Sequence, residues 1–226
     1  MELDGQWPKL CQASSGNAYP TFGLALSLFE SANWGSLTPS ATLRRHQLIE
    51  IDGGNGLVAS PLRIDERILH YITGVQYLDQ RLQTLMHTVN ASGLLVPSHQ
   101  CLIKQIEQTW TQCLPGGPLP VIQLTGADGA SLRTVASETC QHLGLELQEL
   151  SAEALPTDRQ QLRTLQMLCE REYRLSRMAI LLNCEDLDVE AAARKSAIAT
   201  FIDTVNLPLI VTSRDRRRQR QRPLVT

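Results

Sequence analysis

Aromatic residues make up only 4% of the 226 residues, so any core has to be assembled from Leu, Ile, Val and Ala. Lysine is almost missing: Lys9, Lys104 and Lys195 are the only three. A polyanion-binding surface of the usual lysine-rich kind is therefore excluded. The six cysteines (Cys11, Cys101, Cys113, Cys140, Cys169 and Cys184) form no CxxC pair and show no Cys/His spacing that suits zinc. They read as reduced thiols packed as small hydrophobes. No stretch approaches the ~20 apolar residues that a membrane crossing needs. Met1-Glu2-Leu3-Asp4-Gly5 has neither the basic start nor the apolar run of a signal peptide. The expectation is a cytoplasmic protein with no membrane insertion.

What is present is enough for folding, since 42% of residues are apolar. The net charge of −2 hides an asymmetry. Arg214, Arg216, Arg217, Arg218, Arg220 and Arg222 crowd around the single acid Asp215. Setting these aside from the 21 basic and 23 acidic residues leaves 15 against 22, a body of −7 with a basic tail.

The first part of the chain carries short helical patterns: Trp7, Leu10 and Cys11, then Phe22, Leu24, Ala25, Leu28 and Phe29. Thr38-Pro39 has the form of a helix start and opens 40–46. Next, 47–51 and 57–60 flank Asp52-Gly53-Gly54-Asn55-Gly56, a hairpin signal. Three short helices and a two-stranded wing make a winged-helix arrangement. A helical pattern follows over 65–85, then a loop over 88–97. Cys101, Leu102, Ile106, Trp110 and Cys113 define one side of a further helix. Leu114-Pro115-Gly116-Gly117-Pro118 is the clearest break. Beyond it, strands expected at 121–125, 145–150, 179–182 and 209–212 alternate with helices at 131–143, 157–178 and 189–205. That alternation predicts a parallel sheet with both faces covered. The expected class is α/β. A winged-helix-like α+β domain with a trailing helix occupies 1–87, a linker and connecting helix 88–118, and a P-loop-type parallel α/β domain 119–226.

A phosphate loop needs G-x-x-x-x-G-K-[ST] between strand and helix. The context is right after 121–125, but counting from Gly126 places Ser131 at the second glycine, Leu132 at the lysine and Arg133 at the hydroxyl position. The acids expected after the third strand are replaced by Asn183 and Cys184, with Glu185 and Asp186 following in a shifted register. The vestigial nucleotide set is therefore Gly126, Gly129, Ser131, Arg133, Asn183 and Glu185. Neither hydrolysis nor a catalytic residue is expected, and neither is a cofactor or metal. Two other readings stay open. Gly126 and Gly129 simply turn the chain tightly, or ATP with magnesium is held weakly through Arg133.

The runs Leu43-Arg44-Arg45-His46-Gln47-Leu48-Ile49-Glu50 and Ser60-Pro61-Leu62-Arg63-Ile64-Asp65-Glu66-Arg67-Ile68-Leu69-His70-Tyr71 resemble the winged-helix region of a bacterial AAA ATPase family. Val121-Ile122-Gln123-Leu124-Thr125-Gly126, with Glu170-Arg171-Glu172 and the run into Cys184, resembles that family's first, degenerate AAA domain. The resemblance covers nearly the whole chain. It implies an intact ATPase domain of the Cdc48-like class further along, and an association with contractile injection systems. Pro223-Leu224-Val225-Thr226 stands where a fifth strand should start, and the helical lid of an AAA site is missing. The expectation is the N-terminal half of a larger ATPase, a regulatory or scaffolding segment. Its expected partners are the C-terminal ATPase domain, neighbouring protomers of a ring and a protein client. Arg44, Arg45 and His46 lie on the helix that would read DNA, which keeps a DNA-binding alternative open. The acid at the wing tip and the shortage of lysine argue against it. The arginine run has three readings: a solvated linker, a contact with a neighbouring subunit through Arg214, Arg216 and Arg217, or a surface for acidic partners.

Overall fold

The computed structural model describes residues 4–53, 56–90, 93, 95–113, 119–185, 192–214 and 223–225. It divides into two compact units, Met1–Tyr77 and Leu78–Thr226.

In the first unit, α1 (Trp7–Ser15) has Pro8 in its first turn and ends on Gly16 in the left-handed region. The hydroxyl of Thr21 accepts from Leu24 N and starts α2 (Phe22–Leu28). A 3-10 turn, Trp34–Leu37, leads to α3 (Thr42–Arg45). The helix start expected at Thr38-Pro39 is displaced. Thr38 N at 3.2 Å and Thr38 Oγ1 at 2.8 Å both donate to Gly35 O and close the 3-10 turn, and α3 starts from Ala41, which has no capping side chain. The wing pairs β1 (Ile49–Ile51) with β2 (Leu62–Ile64), antiparallel, Ile49 opposite Ile64 and Ile51 opposite Leu62. The second strand therefore lies beyond the expected 57–60. Buried Ser60 donates its hydroxyl to Gly56 O at 2.7 Å and folds that stretch into a turn. Gly54 and Asn55 of the wing tip are outside the described residues. Then α4 (Glu66–Ile72) begins on Asp65, whose carboxylate accepts from Arg67 N and Ile68 N.

The expected helix over 65–85 breaks here. Gly74 has φ +84, where a side chain would be strained, and Val75 N reaches back to His70 O to finish α4. Asp79 caps a new helix, α5 (Gln80–Gln83), and β3 (Met86–Thr88) follows. Leu78, Leu82 and Met86 thus pack in the second unit's core, and the first compact unit ends at Tyr77. The loop expected from 88 begins one strand later than the end of α5, because β3 pairs antiparallel with β5, Met86 opposite Leu150.

The rest of the second unit runs α6 (Pro97–Thr111), β4 (Val121–Thr125), α7 (Gly129–His142), β5 (Glu146–Ser151), α8 (Arg159–Ser176), β6 (Met178–Asn183), α9 (Ala192–Thr204), β7 (Leu209–Ser213) and β8 (Leu224–Val225). On α6 the buried side is Ile103, Ile106 and Trp110, whereas Cys101 and Leu102 face solvent. The sheet order is β3-β5-β6-β7-β4-β8, parallel apart from β3. Alternating side chains feed two cores. Leu150, Ile180, Leu182, Leu209 and Val211 pack with α8 and α9, while Ile122, Leu124, Leu181 and Ile210 pack with α6 and α7. A strand buried on both faces reads as a continuous apolar run, as Met178–Asn183 does. The architecture is α/β: a winged helix followed by a mainly parallel α/β domain of P-loop type.

Candidate functional site

The chain leaves β4 toward β5 and leaves β7 toward β8, on the other side of β4. The carboxyl ends of β4 and β7 therefore form a topological switch point, where open α/β sheets place ligands. Five of the six vestigial residues fall around the ends of β4 and β6 and the start of α7, and Arg133 lies one turn further along that helix.

Asp128, not glycine, caps α7. Its Oδ1 accepts from Ala130 N at 3.1 Å and its Oδ2 accepts from Ser131 Oγ at 2.5 Å. The Ser131 hydrogen bond holds this exposed carboxyl below its ordinary value despite the opposing cost of desolvation. A carboxylate at a helix N-terminus is also favoured by the helix dipole. The hydroxyl of Ser131 is thus spent on Asp128. At Gly129 a Cβ would collide with the carboxylate of Glu185, whose Oε1 would lie 2.9 Å away. A larger residue at 129 would have to displace the end of the Glu185 side chain. Gly126 is different: a Cβ there would meet Leu132 Cδ2 at an ordinary 3.4 Å. Leu132, in the lysine position, folds back over the loop.

Arg133 grips Glu149 on β5, Nε to Oε2 at 2.9 Å and Nη2 to Oε1 at 3.1 Å. His87 Nε2 on β3 stands 3.5 Å from the same carboxylate. Burial pushes the Glu149 carboxyl up, but hydrogen bonds from Arg133 and Asn183 and the charges of Arg133 and His87 outweigh it and bring it below the usual range. Asn183 Nδ2 donates to Glu149 Oε1 at 2.8 Å, and its Oδ1 accepts from Glu185 N at 3.0 Å. Cys184 turns into the apolar core. At the neighbouring strand ends Gln123 Nε2 donates to Ser213 Oγ at 2.9 Å. Sequence reasoning missed Asp128 and Glu149. The first carried a signal, an Asp three residues before a Ser at a helix start. The second carried none, because only the sheet brings β5 beneath α7.

The remaining candidates lie elsewhere. Arg214 is exposed at the end of β7, while Arg216 and Arg217, like Asp186, are outside the described residues. Arg44 Nη1 donates to Leu37 O at 2.6 Å and so ties α3 to the 3-10 turn. Arg45 is exposed at the end of α3, and His46 N closes that helix on Thr42 O. On the wing, Arg63 pairs with Asp52 at 3.2 Å. Buried Arg67 lies over the rings of Tyr71 and Tyr77. A cavity of about 510 Å³ lies at the opposite end of α7, lined by Thr88, Asn90, Ser137, Glu138, Gln141 and Glu146 among others.

A family model described as "Winged helix domain, variant" matches residues 3–86. Among curated proteins none matches the chain. One similar solved structure is that of Rhizobiales Trip13, at 15% identity and a TM-score of 0.34, covering 56% of this chain and 56% of that one. The chain thus spans about half the length of that protein. The class defined by fold and family model is a winged-helix domain joined to a P-loop-type α/β domain. Among the described residues no helix is long and apolar enough to cross a membrane.

Proposed function

We propose that this chain is a non-catalytic docking and scaffolding segment of a AAA-type ATPase. The winged-helix unit engages protein, and the α/β unit supports neighbouring parts of the assembly without turning over nucleotide. The observation that carries the reading is the pairing of Ser131, Arg133 and Asn183 with Asp128 and Glu149 of the chain's own fold. Groups that would have to meet phosphate or magnesium are already committed, and the surroundings are anionic. Polyphosphate placed beside Asp128 and Glu185 meets like charge.

Docking is supported by the outer surface of the first unit. Trp7, Leu10, Leu28, Phe29 and Trp34 are exposed, Phe29 to 66% and Trp34 to 61%. Between Trp7 and Trp34 the only charges are Lys9 and Glu30. Exposed aromatics in a stretch with so few charges suit a protein partner better than phosphates. The partners proposed are the C-terminal ATPase domain of the same protein, neighbouring protomers and a protein client. Calorimetric titration with magnesium ATP, alongside a phosphate-release assay, tests the non-catalytic half. The expected result is no heat and no release, and steady turnover sinks the reading. Association with a separately produced C-terminal domain tests the docking half.

A further inference from the structure

The resemblance to AAA domains implies a nucleotide at the loop 126–131, and the residues present do not fit one. We propose that the misfit is an occlusion: Asp128 and Glu185 act as built-in occupants of an anion cradle whose backbone is still in place at the start of α7. This deepens the non-catalytic reading above and rests on it.

The backbone half of the cradle is visible. The Ala130 amide and the Ser131 hydroxyl both point at an anion, and that anion is the Asp128 carboxylate. Helix starts of this kind bind phosphate through those same groups. The second occupant is Glu185. Its carboxylate lies so close over Gly129 that a methyl group there would collide with it. No hydrogen-bond partner among the described residues reaches Glu185 Oε1, although that atom is buried. A buried carboxylate oxygen without a donor is unfavourable where it sits, so something other than its own bonding holds it. That something is the chain of contacts behind it: Arg133 fixes Glu149, Glu149 fixes Asn183, and Asn183 Oδ1 holds Glu185 N. The residues that replaced a phosphate-binding set thus position a carboxylate in the place where phosphate would be bound. Removing the carboxylates should uncover the amides.

The test uses the full chain and inorganic pyrophosphate and ADP as probes, by calorimetry at low ionic strength. The double variant Asp128→Ser with Glu185→Ala keeps a neutral capping oxygen on the helix. It is expected to bind pyrophosphate at least tenfold more tightly than the unaltered chain, with ADP following the same order. Glu185→Ala alone should give part of the gain and should leave thermal stability unchanged or higher, because it removes an unpaired buried oxygen. A folded double variant that binds no better than the unaltered chain overturns the proposal, as does tight pyrophosphate binding by the unaltered chain. If circular dichroism shows the double variant unfolded, Glu185→Gln keeps the shape and removes the charge. It must then show a gain of about threefold or more, and equality with the unaltered chain overturns the proposal. None of these results bears on docking, which is read by association with the C-terminal domain.

Discussion

Both units bury charged residues, Asp65 and Arg67 in the winged-helix unit and Asp79, Glu149, Arg171 and Glu172 in the α/β unit, but they place their large apolar residues differently. In the α/β unit charges are turned inward and paired across long stretches of chain. Arg171 on α8, 2% exposed, meets Asp79, 3% exposed and itself bridged by Arg81 at 2.6 Å. In the winged-helix unit the fully buried apolar side chains are few (Cys11, Phe22, Leu24, Leu37 and Ile68), while larger ones face outward. A unit that closes its own charges and fills both faces of its sheet is built to hold a shape. The winged-helix unit leaves Trp7, Trp34 and Phe29 exposed, a surface that the proposed docking would cover.

The comparison can be broken most severely at Asp79. Asp79→Ala leaves Arg171 buried without its acid, and losing one partner of a buried pair costs about 3–5 kcal/mol. Urea denaturation followed on the α/β unit should show that loss, and a change below 1 kcal/mol would mean that water reaches the pair. Acid should act the same way. Burial opposes ionisation of Asp79, but hydrogen bonds and charge from Arg81, together with the charge of Arg171, hold its carboxyl below 3.8. Its contribution is therefore present above the ordinary carboxylate range and is lost as pH falls through the lowered folded value. Glu149, lowered from 4.5, adds to the same acid limb.

Glu149→Gln should cost about 1–3 kcal/mol by weakening the grip of Arg133, read as a lower urea midpoint. Gly129→Ala is expected to cost about 1 kcal/mol or less, because only the end of the flexible Glu185 side chain has to shift. In a double-mutant cycle Glu185→Ala should return most of that loss, and additive melting shifts would show that the two never touch. The smallest stability effect belongs to the other unit. Phe29→Ser and Trp34→Ala should each change stability by no more than ~0.5 kcal/mol, yet weaken association with a protein partner by 1 kcal/mol or more. Arg45→Glu should leave that association and the fold alone. A salt-sensitive DNA affinity abolished by Arg45→Glu would instead favour the nucleic-acid alternative.

Much of the α/β unit was legible because its strands are apolar runs and its helices are long. Burial on both faces makes Met178–Asn183 recognisable without knowing its neighbours. Gly126, Gly129, Ser131, Asn183 and Glu185 could be grouped in advance, since parallel topology delivers the ends of β4 and β6 to one edge. The winged unit was read less well. Its strands are three residues long, too short for periodicity to fix where the second begins. The stretch 65–85 misled for a different reason. Apolar residues at helical spacing served a helix up to Ile72 and then a separate short helix and an edge strand, and Gly74 alone marked the change.

By itself the sequence determined that there would be a winged unit and an alternating α/β unit. It also determined that Leu132 stands at the lysine position of the loop pattern, and that Asn183 and Cys184 precede Glu185 after the third strand of the α/β unit, since residue identity is local information. Only the tertiary structure decided which distant residues meet. Asp79 finding Arg171, Arg133 finding Glu149 and Glu185 resting on Gly129 are pairings between residues far apart in the chain. They are set by strand order and register, which no local pattern encodes.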